Sequence, residues 1–151
     1  MKNTATTINI SEHNGQPVAR GSAVAVNGRG LLIVGSPGSG KSEMAIALMA
    51  YGAMLVGDDG VTLREQGDCV MISPPPNIEG QIEIRGVGIM AANAVTARLV
   101  AVLDMDRVET DRLPPFRDTD VLGHATRCLH KVESPHFPAA IWQYLLSERI
   151  A

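Results

Sequence analysis

The chain has 151 residues, 45% of them hydrophobic and 19% charged, with a formal net charge of −3. That composition describes one ordinary globular unit and excludes a disordered chain. The negative balance removes the global basic field of a nucleic-acid or anionic-membrane binder, and aromatics at 3% remove the stacking platforms of a single-strand binder.

Cys69 and Cys128, the two cysteines, lack metal-ligand spacing and are read as reduced structural thiols. The opening residues hold no apolar signal core, and no apolar run approaches membrane-spanning length, so the reading is cytoplasmic with no membrane partner. Taking the elements in order, Thr6 to Ile10 is predicted as a short strand, and Ser11 to Pro17 as a polar turn. Ser22–Val26 and Leu31–Val34 are strands around an Asn27-Gly28 hairpin turn.

The second of these strands runs into Gly35-Ser36-Pro37-Gly38-Ser39-Gly40-Lys41-Ser42, a full match to the phosphate-loop pattern between a strand and a helix. Its glycines let successive N–H groups turn inward on an anion, and the following helix adds its positive end. Lys41 is placed to reach outer phosphates, and the Ser42 hydroxyl to hold a magnesium ion. Lys41 to Tyr51 has helical spacing, with Met44, Ala45, Leu48 and Tyr51 on one face and Gly52 as the stop.

Ala53–Val56 is then a strand parallel to the loop's strand, ending at Gly57-Asp58-Asp59-Gly60 on the same sheet edge as the loop. Position makes this pair functional: one carboxylate for the metal, the other to accept a proton from an attacking hydroxyl. Val61–Arg64 and Asp68–Ile72 form a hairpin, and an irregular stretch follows Pro74-Pro75-Pro76. Glu79 to Ile89 shows little regular periodicity; alternation puts Glu83 and Arg85 on one side of an extended chain. Residues 97–103 are a buried strand, 104–115 a polar and solvated connection, 125–132 a last strand, and 139–148 a helix docked on the sheet. The hairpin before the loop implies a mixed sheet. The expected class is α/β, one phosphate-loop domain over residues 1–151 with helices flanking that sheet.

Three blocks together resemble the catalytic domain of the HPr kinase/phosphorylase family. They are the loop through Glu43, the segment Gly52-Ala-Met-Leu-Val-Gly-Asp58-Asp59, and Glu83-Ile-Arg85-Gly-Val-Gly-Ile89. The third is similar to the family's signature segment and is the most specific. The resemblance covers roughly residues 20 to 115 and is similar to a short form that lacks the separate N-terminal domain. It implies a fold of the HPr kinase/phosphoenolpyruvate-carboxykinase kind. It also implies ATP and Mg2+ as cofactors, an HPr-like phosphocarrier as protein partner, a role in phosphotransferase-system regulation, and a homo-oligomer.

By resemblance, Lys41 binds outer phosphates, and Ser42, Glu83 and Asp58 serve the metal. Asp58 and Asp59 between them supply the general base and metal-water contacts. Arg85 belongs to the segment linked to phosphorolysis, and Arg112, in Asp111-Arg-Leu-Pro114, takes the place of an arginine stabilising the transferring phosphoryl group. One departure stands out: where the family carries a histidine, this chain reads Ala19-Arg20-Gly21. Arginine keeps positive charge but does not titrate near neutral pH. His13 and His124 are read as surface residues. Two other readings compete, a small-molecule kinase on the same scaffold and a nucleotide-binding regulator without transfer.

Overall fold

The computed structural model describes residues 5–76 and 80–151. It opens on two hairpins. β1 (Ile10–His13) and β2 (Gln16–Ala19) pair antiparallel around Asn14-Gly15, whose φ values of 53° and 79° are those of a two-residue mirror-image turn. The expected strand over Thr6–Ile10 and the expected polar turn are therefore displaced. Asn14-Gly15 dictates the reversal, and the fully exposed β1 needs no apolar alternation to pair. β3 (Ser22–Val26) and β4 (Arg29–Val34) follow as expected, with Asn27 and Gly28 at φ 51° and 77°.

β4 feeds the phosphate loop and then α1 (Lys41–Tyr51), closed by Gly52 at φ 118°. Met44, Ala45 and Leu48 are buried as the spacing requires. Tyr51 is instead exposed, its ring stacked on Trp142 with centroids 6.0 Å apart. β5 (Met54–Gly57) pairs antiparallel with β3, so it runs in the direction of β4 with β3 between them. Direction, not adjacency, is what carries its end to the loop's edge.

β6 (Val61–Gln66) and β7 (Cys69–Ser73) form the expected hairpin. Gln81 to Ala91 is not irregular: β8 (Gln81–Ile84) and β9 (Gly88–Ala91) make a two-stranded sheet of their own. Ile82, 2% exposed, anchors it in the core beside α1. Glu79 and the part of the irregular stretch around it lie outside the described residues.

The central strand is β10 (Ala97–Val108), parallel to β4 on one side and to β12 (His124–Lys131) on the other. It runs five residues beyond the predicted end, through charges expected to be solvated. Asp104 is only 5% exposed. Its carboxylate accepts from Thr6 Oγ1 at 2.5 Å, the Asp106 N–H at 2.9 Å and Arg107 Nε at 3.1 Å. A buried carboxylate so fully met does not end a strand. β11 (Asp118–Val121), which alternation did not reveal, pairs β12 across Leu122-Gly123.

Along β4 the side chains alternate between two cores. Leu31 and Ile33 meet Met44, Leu48, Ile141 and Leu145 of the helices, where α2 (Phe137–Leu146) packs as predicted, two residues earlier than its predicted range. Leu32 and Val34 meet Val61, Leu63 and Ile72, because the sheet curls through β6 and β7 over its other face. The loop is thus mounted on strands buried on both sides. Its base is rigid.

β12 also carries a titrating group. His130 is half-buried, and burial, then the neighbouring Arg117 guanidinium, pulls its imidazole below the ordinary value. Glu109 and Asp104 oppose this shift, and Arg107 adds to it. The unfolded chain therefore binds this proton more readily, so His130 contributes stability above about pH 6.5 that is lost as pH falls below it. We expect the melting temperature to drop between pH 7 and 5, and His130→Gln to reduce that drop when both proteins are melted side by side.

Candidate active site

The loop holds its shape through the strand beneath it. A Cβ on Gly35 would sit 2.5 Å from Ser39 Oγ and 3.1 Å from Met105 Cβ, so the chain comes that close only without one. Ser36 donates to both carboxylate oxygens of Asp106, from N–H and Oγ, each at 2.8 Å. Lys41 Nζ folds over the loop, 2.9 Å from the Gly35 carbonyl and 3.1 Å from that of Ser36. Ser39 Oγ is buried with no hydrogen-bond partner among the described residues, a polar group the loop itself leaves unmet.

β5 brings its terminal aspartates to this loop. Asp58 Oδ1 accepts from Ser42 Oγ at 2.9 Å and from Ser22 Oγ at 2.9 Å. Asp59 follows with φ 64°, a left-handed conformation that Asp tolerates better than most residues. Gly57 before it lies against the Gly60 carbonyl. One cleft collects Lys41, Ser42, Asp58 and Asp59 together with Glu83 and Arg85, which the β8–β9 hairpin presents from its turn end. Six of the residues singled out by different arguments, on three separate chain segments, line one cavity with the loop's glycines Gly38 and Gly40.

Two expectations do not join them. Arg112 is exposed in the connection after β10 and lines no part of this cleft. Arg20 lines a neighbouring cleft on the other flank of the loop, with Arg107, Asp104 and Gly35 to Pro37. His124 sits 3.1 Å from Glu65, away from the site.

Ser22 and Asp106 escaped sequence reasoning. Ser22 is 1% exposed in an otherwise apolar strand, and a buried hydroxyl requires a partner; that was the readable signal. Asp106 lies in a tract that gave none.

The donor set suits a hard cation. Ser42 Oγ, Asp58, Asp59 and Glu83 are all oxygen donors in one cleft, and Mg2+ takes one or two carboxylates with substrate phosphates and water. Among the described residues no three His, Cys, Asp or Glu side chains form a metal-binding cluster by themselves.

Residues 13–103 match the family model described as HPr Serine kinase C-terminal domain. Over 71 residues, 46% of the chain, the sequence is 44% identical to the HPr kinase/phosphorylase of Shouchella clausii. It is 46% identical over 71 residues to that of Listeria welshimeri. The chain spans only 23% of the length of these relatives. In three dimensions it is similar to the Hpr(Ser) kinase/phosphatase from Coxiella burnetii, with a TM-score of 0.70 and 22% identity, covering 85% of this chain and 87% of that one. Among the described residues no helix is long and apolar enough to cross a membrane. With a matching family model over more than half its length, this chain belongs to the HPr serine kinase C-terminal domain family.

Proposed function

We propose that the protein is an ATP- and Mg2+-dependent protein-serine kinase of the cytoplasm acting on an HPr-like phosphocarrier, with phosphorolysis of the phosphoserine as its reverse activity. The observation that carries this reading is the convergence of Lys41, Ser42, Asp58, Asp59, Glu83 and Arg85 on one cleft. The loop N–H groups and Lys41 would hold the β- and γ-phosphates of ATP. Ser42, Asp58 and Glu83 would hold Mg2+, which supplies neutralisation of phosphate charge when bound.

The division of labour we propose within this chain rests on two observations. Asp58 is committed through Oδ1 to two hydroxyls. Asp59 is exposed and carries no such commitment among the described residues, so we take it as the carboxylate that accepts the proton of an incoming serine hydroxyl. In reverse, the same group returns a proton to the leaving serine oxygen as phosphate attacks. Positioning and charge neutralisation supply most of the rate in phosphoryl transfer, and one placed base adds about 10²–10⁴-fold. Arg85, exposed on the hairpin turn, would meet the acceptor side, and the reading includes a homo-oligomer.

Intact-mass measurement of the carrier decides the question. Incubated with the protein, ATP and Mg2+, an HPr homologue should gain one phosphate and lose it again when excess inorganic phosphate is added. A carrier of unchanged mass beside confirmed ATP binding overturns the kinase reading.

A further inference from the structure

A second open cleft lies at the other end of the sheet, where β4, β10 and β12 begin and α2 ends. It is lined by Arg29, Arg98, Arg127 and Arg149, four of the thirteen Lys and Arg residues of a chain whose net charge is −3. β4 separates Arg29 from Gly35 by six residues, on the order of 20 Å at strand rise, so this cleft is no extension of the phosphate-loop site.

Arg29 and Arg98 are direct register partners on neighbouring parallel strands. That register sets two cationic residues side by side at the end of the sheet. Among the described residues neither has a carboxylate within ion-pair distance. Arg29 is aimed by its Nε–H on the Leu145 carbonyl, 2.9 Å away at the end of α2. Arg98 is exposed, and its guanidinium has no hydrogen-bond partner among the described residues.

Acidic neighbours do not cancel the pair. Asp118 is engaged by Arg127 at 2.7 Å, while Asp68 and Glu148 line the cleft without an ion pair to any of the four. Arg127 and Arg149 both lie over the Phe116 ring, at 4.5 and 4.0 Å from its centroid. That contact holds two further guanidinium groups at the rim.

We propose that this cleft binds a small polyanion bearing phosphate or carboxylate groups, with Arg29 and Arg98 as its direct ligands. The guanidinium fork matches both oxyanions, and a bound anion would pair the Arg98 charge, which no described carboxylate meets. The inference is independent of what the phosphate loop does.

Calorimetric titration of the full chain with inorganic pyrophosphate and with citrate, at constant ionic strength, tests it. Arg98→Gln should weaken binding about tenfold or more, the scale of one charge-assisted hydrogen bond, while Lys41→Ala leaves this binding in place. Tighter pyrophosphate assigns phosphates, and tighter citrate assigns carboxylates. Binding that is equal in wild type and Arg98→Gln, or that vanishes only in Lys41→Ala, overturns the proposal. Nuclear magnetic resonance of arginine Nε–H groups answers without any variant. Shifts at Arg29 and Arg98 on adding either anion sustain the site, and shifts confined to the phosphate loop, or none, overturn it.

Discussion

Asp59→Asn is expected to retain ATP binding and to lose about 10²–10⁴-fold in phosphate transfer to the carrier, the usual contribution of a placed base. Asparagine is the informative replacement. It tolerates the left-handed backbone at φ 64°, whereas alanine would add strain of about 1 kcal/mol or more to the same turn. Asp58→Asn makes the complementary case. Alanine there would strip the acceptor from Ser22, a hydroxyl only 1% exposed, at a cost of about 1–3 kcal/mol that would confuse folding with function. Asparagine keeps an acceptor oxygen and removes the charge. Transfer by this variant should fall as steeply, with a higher Mg2+ requirement than Asp59→Asn shows. Measuring rate against Mg2+ concentration for both proteins separates metal ligand from base. Transfer at the wild-type rate in both would end the assignment of this cleft as the reaction centre.

Gly57→Ala is expected to damage the same site without touching a reacting group. A Cβ there would lie 2.3 Å from the Gly60 carbonyl oxygen, 2.9 Å from Pro75 Cδ and 3.0 Å from Val61 Cγ1. The first of these is backbone and cannot rotate away. Overpacking of this kind costs about 1–3 kcal/mol, which lowers the melting temperature by several degrees in a chain of this size. The activity loss should exceed the stability loss, because the clash forces open the turn that carries both aspartates. A displacement near 1 Å is worth on the order of 100-fold in rate. Gly60→Ala supplies the control: its nearest neighbour would be 3.7 Å away, an ordinary contact. Equal losses in the two variants, by melting and by transfer, would show that crowding at Gly57 is not the cause.

The parts legible in the sequence were those whose chemistry is local. The loop, the helix from Lys41 to Tyr51 and its glycine cap follow from consecutive residues, and the structure places them at those positions. The aspartate pair needed only one non-local rule, the handedness that returns β5 to the loop's edge. Glu83 and Arg85 stood out through the resemblance, since four alternating residues in β8 are too few to mark a site and β9 is exposed throughout; Ile82 alone is fully buried there. β1 escaped because an exposed edge strand has no burial pattern to display. The far half of β10 escaped because Asp104 reads as a strand-ending charge until Thr6 and Arg107, remote or sideways in the chain, satisfy it. Arg112 shows the converse: a motif match names a residue, but placement depends on a connection whose course local sequence does not dictate.

The way Asp106 and Met105 prop the phosphate loop from below has a kinetic consequence. Ser36 is held at two atoms by Asp106, and Met105 lies close under both Gly35 and Gly40. A cradle already shaped by its support needs little backbone ordering when an anion arrives; Lys41 has only to swing from the Gly35 and Ser36 carbonyls, so capture is expected to follow diffusion and charge rather than a slow search for a competent conformation. Residence time, not the speed of entry, then becomes the quantity through which changes around this loop are felt.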